Sequence, residues 1–592
     1  MLQNYTKLNG YFVILSLVCM CFMQLHARAS KGPWQLNLKY HKNGKLELLN
    51  AQRIPGSKKN LISPASKASL IDIPVNISWL DAKDNILASA KAVLPLGMRI
   101  PIGKQDIMPG ILMSEEIIVI RVQGPSEDMM PARLIISKQN IKEDTERTKK
   151  TTTRAPALLS PHSFSLSTGS TVSPPPELSS MLGAIAATKI QDNGPDSNRL
   201  VIVVVGDGYI ESDIDDGTYA KDVKYTIDQF KLSSPWDEMM PATNIYRIDA
   251  VSLQRGADYE DGSPEMSGSL KDTYFNTSFW TDGIERLLAP DSIGTTRAVN
   301  AADDLIGAGM WDQIIVVVNS KKYGGSGGFL ATNTTHPDGP LIAVHEVGHS
   351  LANLADEYDY NDGATYSGEP PSEVNVDTNA SDPKWSSWIE PTTPLPTPNE
   401  SNYSSVVGAF EGARYNQFGI YRPSQNCIMS SFTGSSGSDF CPVCREQHLR
   451  SLFEIVDTTD SVTPSTEAVV SLSSDKLFSV SPISMEGITF EWFIDGVSIP
   501  NKTSPNLTIS TSQLIAPSQQ VSVEVRFISP MMRSDAPVDT FSWSVENNGV
   551  TTTGTPHWWL SFYGLGVADD VDLIDHDGDG VTTYEEYIAN TD

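Results

Sequence analysis

Two histidines stand four residues apart, with a glutamate directly after the first, in the run Pro340-Leu341-Ile342-Ala343-Val344-His345-Glu346-Val347-Gly348-His349. Apolar residues at 344, 347, 351 and 354 give this stretch the period of an amphipathic helix. On one face of such a helix His345 and His349 are spaced to share a zinc ion. Glu346 is not placed to be a third ligand from that turn; it is placed to take a proton from a metal-bound water. Zinc lowers that water's pKa towards neutrality, so a carboxylate completes the deprotonation and later passes the proton to a leaving amine. The bland alternative is a chance meeting on a surface helix. Against it stand the amphipathic pattern and the chain's total of only nine histidines.

A second constellation closes the sequence. Asp575-His576-Asp577-Gly578-Asp579-Gly580-Val581-Thr582-Thr583-Tyr584-Glu585-Glu586 carries oxygen donors at loop positions 1, 3 and 5, Gly at 6 and Glu at 12. That is the EF-hand pattern for calcium: Asp575, Asp577 and Asp579 as side-chain donors, the Val581 carbonyl, and Glu586 as the bidentate ligand. A solvated acidic tail requires neither the Gly nor the final Glu. A single loop of this kind suits a structural role better than a sensor's.

The rest of the chain must position these groups. Its 592 residues carry 43 Lys plus Arg against 72 Asp plus Glu, a net charge of −29, which disfavours nucleic acid or anionic membrane as partners. Lys7, an apolar run from Tyr11 to Met23 and Ala27-Arg28-Ala29 read as a signal peptide over 1–29, with the mature chain starting at Ser30. The competing reading, an uncleaved anchor, needs roughly 20 apolar residues. The expectation is a secreted or periplasmic protein, free of the membrane after cleavage. Residues 30–143 alternate polar and apolar in short runs, as in a β-sandwich. Residues 144–179 are rich in Ser, Thr and Pro and read as a linker. Within 180–457 the runs Leu200-Val201-Ile202-Val203-Val204-Val205 and Ile314-Ile315-Val316-Val317-Val318 predict a mostly parallel sheet covered on both faces, with a helix over Val299 to Ile306. Alternation returns over 458–548 as an immunoglobulin-like sandwich, and 555–592 forms the calcium-loop tail.

The run from His345 to Tyr358 resembles the zinc signature of the IgA-peptidase type of bacterial metallopeptidase. Gly206-Asp207-Gly208-Tyr209, Gly419-Ile420-Tyr421-Arg422-Pro423, Cys427-Ile428-Met429 and Phe440-Cys441-Pro442-Val443-Cys444 resemble other segments of that family. The resemblance covers about 195–455, and it implies a metzincin-like α/β core and a zinc endopeptidase acting on protein or peptide. It does not imply immunoglobulin as the substrate. Where metzincins place a Gly and a third ligand after the second His, this chain has Ala352 and Ala355. Asp356 and Glu357 are the nearest donors, and on a continued helix Asp356 would lie about 10 Å beyond His349. The helix must therefore stop, with Asn353 best able to take the left-handed conformation that ends it. Asp356 is favoured as third ligand, with Glu357 the alternative. Met429 resembles the methionine of the turn beneath the zinc. The three cysteines outside the signal segment allow one disulfide, Cys427 with Cys441 or Cys444. Tyr415, Tyr421 and Arg422 are candidates to stabilise an oxyanion, and each is equally a packing residue.

The sequence thus points to a multidomain exported zinc endopeptidase, with Zn2+ at the catalytic centre and Ca2+ as a structural ion. The rival is a secreted adhesin or glycan-binding protein with a vestigial metal helix. Oligomeric state is not legible in the sequence.

Overall fold

The computed structural model describes residues 32–56, 71–96, 98–99, 110–111, 114–126, 129, 131–139, 162–166, 185–259, 270–432 and 439–591. Residues 1–29, read above as a signal peptide, lie outside them, as does most of the stretch 144–179. No helix among the described residues is long and apolar enough to cross a membrane. The chain divides into two compact units. The first takes the chain through Thr188 together with Val203–Val223 and Arg247–Ser350; the second takes Lys189–Ile202, Lys224–Tyr246 and Leu351–Asp592.

In the first unit, Trp34–His41 pairs antiparallel with Leu46–Arg53 and with Glu115–Val122. A second sheet pairs Ile71–Leu80 with Ile86–Leu96 and with Arg133–Lys138. Side chains alternate across a strand, so Leu36, Leu38 and Tyr40 of one sheet meet Val75, Ile77 and Trp79 of the other in one buried core. His162–Ser165 adds to this second sheet beside Arg133–Lys138. That strand falls inside the stretch expected to be a linker. Its Ser and Thr neighbours masked a two-residue alternation in which Phe164 packs on the core.

A six-stranded sheet precedes the histidine helix in the chain. Its strands are β1 (Ile185–Gln191), β2 (Leu200–Asp207), β3 (Thr243–Ala250), β4 (Gln313–Val318), β5 (Gly325–Ser326) and β6 (Leu330–Thr334), in the order β1-β3-β2-β4-β6-β5. Strands β4 and β6 run parallel, and the short β5 pairs antiparallel with β6. Strands β2 and β4 are buried at every position, as runs apolar on both faces require. The helix expected over 299–306 starts earlier. Helix α1 (Ser292–Ala302) is capped by Asp291, whose Oδ1 accepts from Gly294 N at 2.7 Å, and it passes into a π turn at Asp303–Gly307. Helix α2 (Gly339–Ala352) follows β6 and carries His345, Glu346 and His349.

In the second unit, helix α3 (Pro442–Ile455) starts with Pro at its first position, where a missing N–H costs nothing. Beyond it the sheets Thr459–Thr463/Lys476–Pro482/Asn506–Ile509 and Val470–Leu472/Val538–Asn547/Ser518–Phe527/Ile488–Ile494/Val497–Ser498 enclose a single core. Trp492 and Trp543 stack at its centre, 5.9 Å between centroids. Glu446 of α3 accepts from the backbone N–H groups of Arg533 and Ser534 at 3.0 and 2.8 Å. Arg199 reaches Asp460 at 2.6 and 2.7 Å through its two terminal nitrogens, a bidentate pair with the arginine buried.

Candidate metal centre

The four-residue spacing works out in α2 as the helical period requires. His345 Nε2 and His349 Nε2 are 3.1 Å apart, with the rings nearly perpendicular. Glu346 Oε2 lies 3.9 Å from His349 Nε2, and all three side chains are buried. Zinc–nitrogen bonds of about 2.0–2.1 Å in a tetrahedron put ligating nitrogens roughly 3.3 Å apart, so the pair is close to the spacing a shared zinc demands. The donor set is also zinc's: two imidazoles with a carboxylate beside them. Ser350 Oγ donates to Gln313 Oε1 at 2.6 Å and ties the end of the helix to β4.

Two residues near Glu346 escaped the sequence reading. A Cβ on Gly327 would sit 1.9 Å from Glu346 Oε2 and 3.2 Å from its Cβ, so the backbone at 327 forms a wall against the carboxylate. The run Gly324-Gly325-Ser326-Gly327-Gly328 carried the signal, since a glycine cluster beside an edge strand marks a close backbone approach. Gly327→Ala is expected to leave zinc content intact and displace the carboxylate. A misplacement of about 1 Å can cost about 10²-fold, and steady-state peptide cleavage reads it; unchanged turnover would contradict the assignment. The second residue is Tyr323, whose hydroxyl is pushed up to about 12 by burial, with the charge of Glu346 adding to the effect. It stays a neutral donor at any physiological pH.

After α2 the chain turns where expected: Asn353 has φ 51°, the left-handed conformation. Asp356 is buried, its carboxylate accepts from Tyr415 Oη, and its carbonyl accepts from Arg414 N at 2.9 Å. Tyr415, a candidate for an oxyanion, thus has its hydroxyl committed to Asp356. Arg422 is buried and donates to the carbonyls of Glu411 and Gly412, which holds the hairpin Phe410–Ala413/Asn416–Arg422 closed. Tyr421 sits in the same hairpin and exchanges backbone hydrogen bonds with Asp377. Met429 is buried, and its carbonyl accepts from Glu357 N at 2.8 Å, so the Met429 segment does lie against the 356–357 backbone.

Glu357 turns to another set of partners. Its Oε1 accepts from Asn375 Nδ2 at 2.9 Å and from Cys444 Sγ at 3.1 Å. Burial pushes its carboxyl well above the usual carboxylate range. The disulfide expected from Cys427 to Cys441 or Cys444 is absent: all three are free thiols. Cys427 Sγ and Cys444 Sγ are 3.9 Å apart, against about 2.05 Å for a bond. The arithmetic of three cysteines leaves out a fourth group, Glu357, that sits among them.

In the terminal loop, Asp575 Oδ1 and Oδ2 accept from Gly578 N and Gly580 N at 2.7 and 2.9 Å, and Asp577 and Asp579 accept from Asp579 N and Val581 N. The three aspartates gather within reach of one ion. Burial and the charges of Asp577 and Asp579 raise the Glu586 carboxyl. The Gly206-Asp207-Gly208 motif acts as a brace. Asp207, fully buried, accepts from Thr273 Oγ1 and Phe275 N at 2.9 and 2.8 Å, and from both Thr277 N and Thr277 Oγ1. Gly208 has φ 71°, and a Cβ there would lie 2.0 Å from Gly256 O.

No curated protein matches the chain. Among solved structures, a beta-galactosidase from Bacteroides fragilis aligns at 8% identity over 88% of this chain and 72% of that one, with a TM-score of 0.12. A Parabacteroides merdae beta-glucuronidase aligns at 9% identity over 87% and 64%, with a TM-score of 0.13. Scores that low establish no common fold. Residues 188–403 and 399–452 match the IgA Peptidase M64 family. That span holds the histidine helix, Asp356, Met429 and the three cysteines, and the match supports a peptidase.

Proposed function

We propose that the chain is an exported zinc endopeptidase in which His345, His349 and Asp356 hold the metal and Glu346 moves the proton. The observation that carries this reading is the buried pair of imidazole nitrogens 3.1 Å apart with the Glu346 carboxylate beside them. Zinc, when bound, supplies a Lewis acid that brings a water's pKa to about 7. Glu346 then accepts the proton from the attacking water and returns it to the leaving amine. Gly327 confines that carboxylate, and Tyr415 orients Asp356 by donating to it. Glu357, the alternative ligand, has its inner oxygen taken by Asn375 and Cys444, which favours Asp356. The protein should cleave unfolded casein, lose that activity to a chelator and regain it with added zinc. A secreted adhesin with a vestigial helix would show no cleavage under any of these conditions.

The terminal loop is proposed to bind calcium through Asp575, Asp577, Asp579, the Val581 carbonyl and Glu586. Binding to the folded form alone stabilises it by mass action, by about 2.7 kcal/mol at a hundredfold excess over Kd. Calcium should therefore slow limited proteolysis of 555–592, and the double substitution Asp577→Ala, Glu586→Ala should remove the effect. Identical digestion patterns with calcium and with chelator would rule the loop out as a calcium site.

A further inference from the structure

We propose that Cys427, Cys441, Cys444 and Glu357 form a second, structural zinc site that shares no ligand with the histidine helix. One ligating atom from each of the four lies within 4.8 Å of all the others, and all four residues are buried. In a tetrahedral site with zinc–sulfur bonds of about 2.3 Å, sulfurs stand about 3.8 Å apart, and a sulfur and a carboxylate oxygen about 3.5 Å apart. Cys427 Sγ to Cys444 Sγ is 3.9 Å. From Glu357 Oε1, Cys444 Sγ and Cys441 Sγ stand at 3.1 and 4.0 Å, on either side of the expected edge. The Cys427 and Cys444 sulfurs are too far apart for a disulfide and at a distance that suits a shared metal, and Cys441 lies within the same 4.8 Å cluster.

The surrounding polar groups fit a metal site as well. Cys441 N donates to Cys427 Sγ at 3.3 Å, and Asn375 Nδ2 donates to Glu357 Oε1, contacts of the kind that orient ligands and spread their charge. Glu357 Oε2 is buried with no hydrogen-bond partner among the described residues. A carboxylate oxygen left in that state is costly unless a cation faces the group. Three thiolates and one carboxylate carry four negative charges. Zinc offsets two, and the buried Arg422, whose charge acts on Glu357, offsets a third. The thiols give up protons as the metal enters, so uptake should be weaker at low pH.

The ligands come from three places in the chain: the segment after Asn353, the turn at Cys427-Ile428-Met429, and the start of α3, where Cys441 is the N-cap and Cys444 lies in the first turn. Together with the bond from Glu357 N to Met429 O, one ion there would tie the backbone that carries Asp356 to the methionine turn and to α3.

The test uses the full-length protein and does not read peptidase activity. A His345→Ala, His349→Ala double variant should retain about one equivalent of zinc per chain after exhaustive dialysis. Its cobalt-substituted form should show sulfur-to-cobalt charge-transfer absorption, and Cys441→Ser should weaken that band. If the double variant held no zinc and gave no sulfur–cobalt band, the proposal would be overturned. So would mass spectrometry of unreduced protein showing Cys427 joined to Cys441 or Cys444. Failure of the zinc-peptidase reading would leave this outcome untouched, since the variant lacks the histidine ligands by design.

Discussion

Glu346→Ala is expected to bind zinc as the wild type does and to lose nearly all cleavage of casein. Neither imidazole is altered by the change, and the 3.1 Å separation of their Nε2 atoms does not depend on the carboxylate. What disappears is the proton acceptor beside His349. A positioned general base contributes about 10²–10⁴-fold, and Glu346 also has a fixed seat, since the Gly327 backbone closes against its oxygen. Glu346→Gln separates the two contributions: it fills the same seat but cannot accept the proton, so it should be as inactive as the alanine variant. Zinc content at wild-type level with turnover above a tenth of wild type in either variant would reject Glu346 as the base.

The helix was legible because its information is local. His345, Glu346 and His349 sit within one turn and a half, and the 3.6-residue period alone places both imidazoles on one face. The stop at Asn353 was legible for the same reason, as a short-range conflict between helix continuation and a third ligand. The cysteine cluster was not legible in that way. Cys444 lies 87 residues from Glu357 and 17 from Cys427, and nothing in local spacing says that a lone glutamate beside Asp356 turns inward to meet three thiols. The strand His162–Ser165 was missed on composition, because a four-residue alternation is outweighed by the Ser, Thr and Pro around it. Tyr415 was picked as a candidate to stabilise an oxyanion, and only the folded hairpin reveals that its hydroxyl meets Asp356.

Asp356→Ala should abolish turnover by more than about 100-fold, whereas Glu357→Ala should retain most of it when zinc is in excess. Catalytic zinc sites usually present three protein ligands and a water, and two imidazoles from α2 leave one position to be supplied. Loss of a residue that merely orients a ligand already costs about 10–100-fold, so removal of a ligand itself should cost more. Asp356 is buried, and its carboxylate accepts from Tyr415 Oη, which fixes its orientation. Glu357 points into the cysteine cluster, and its loss should reach the peptidase chemistry only through the backbone it helps to hold. Tyr415→Phe should then fall between the two, because it removes the donor that orients Asp356 but leaves the carboxylate. Turnover, not total metal, is the deciding measurement, since the two substitutions remove ligands of two different proposed zinc sites. The opposite ranking would move the ligand to Glu357, and near wild-type turnover in both variants would remove this segment from the metal centre.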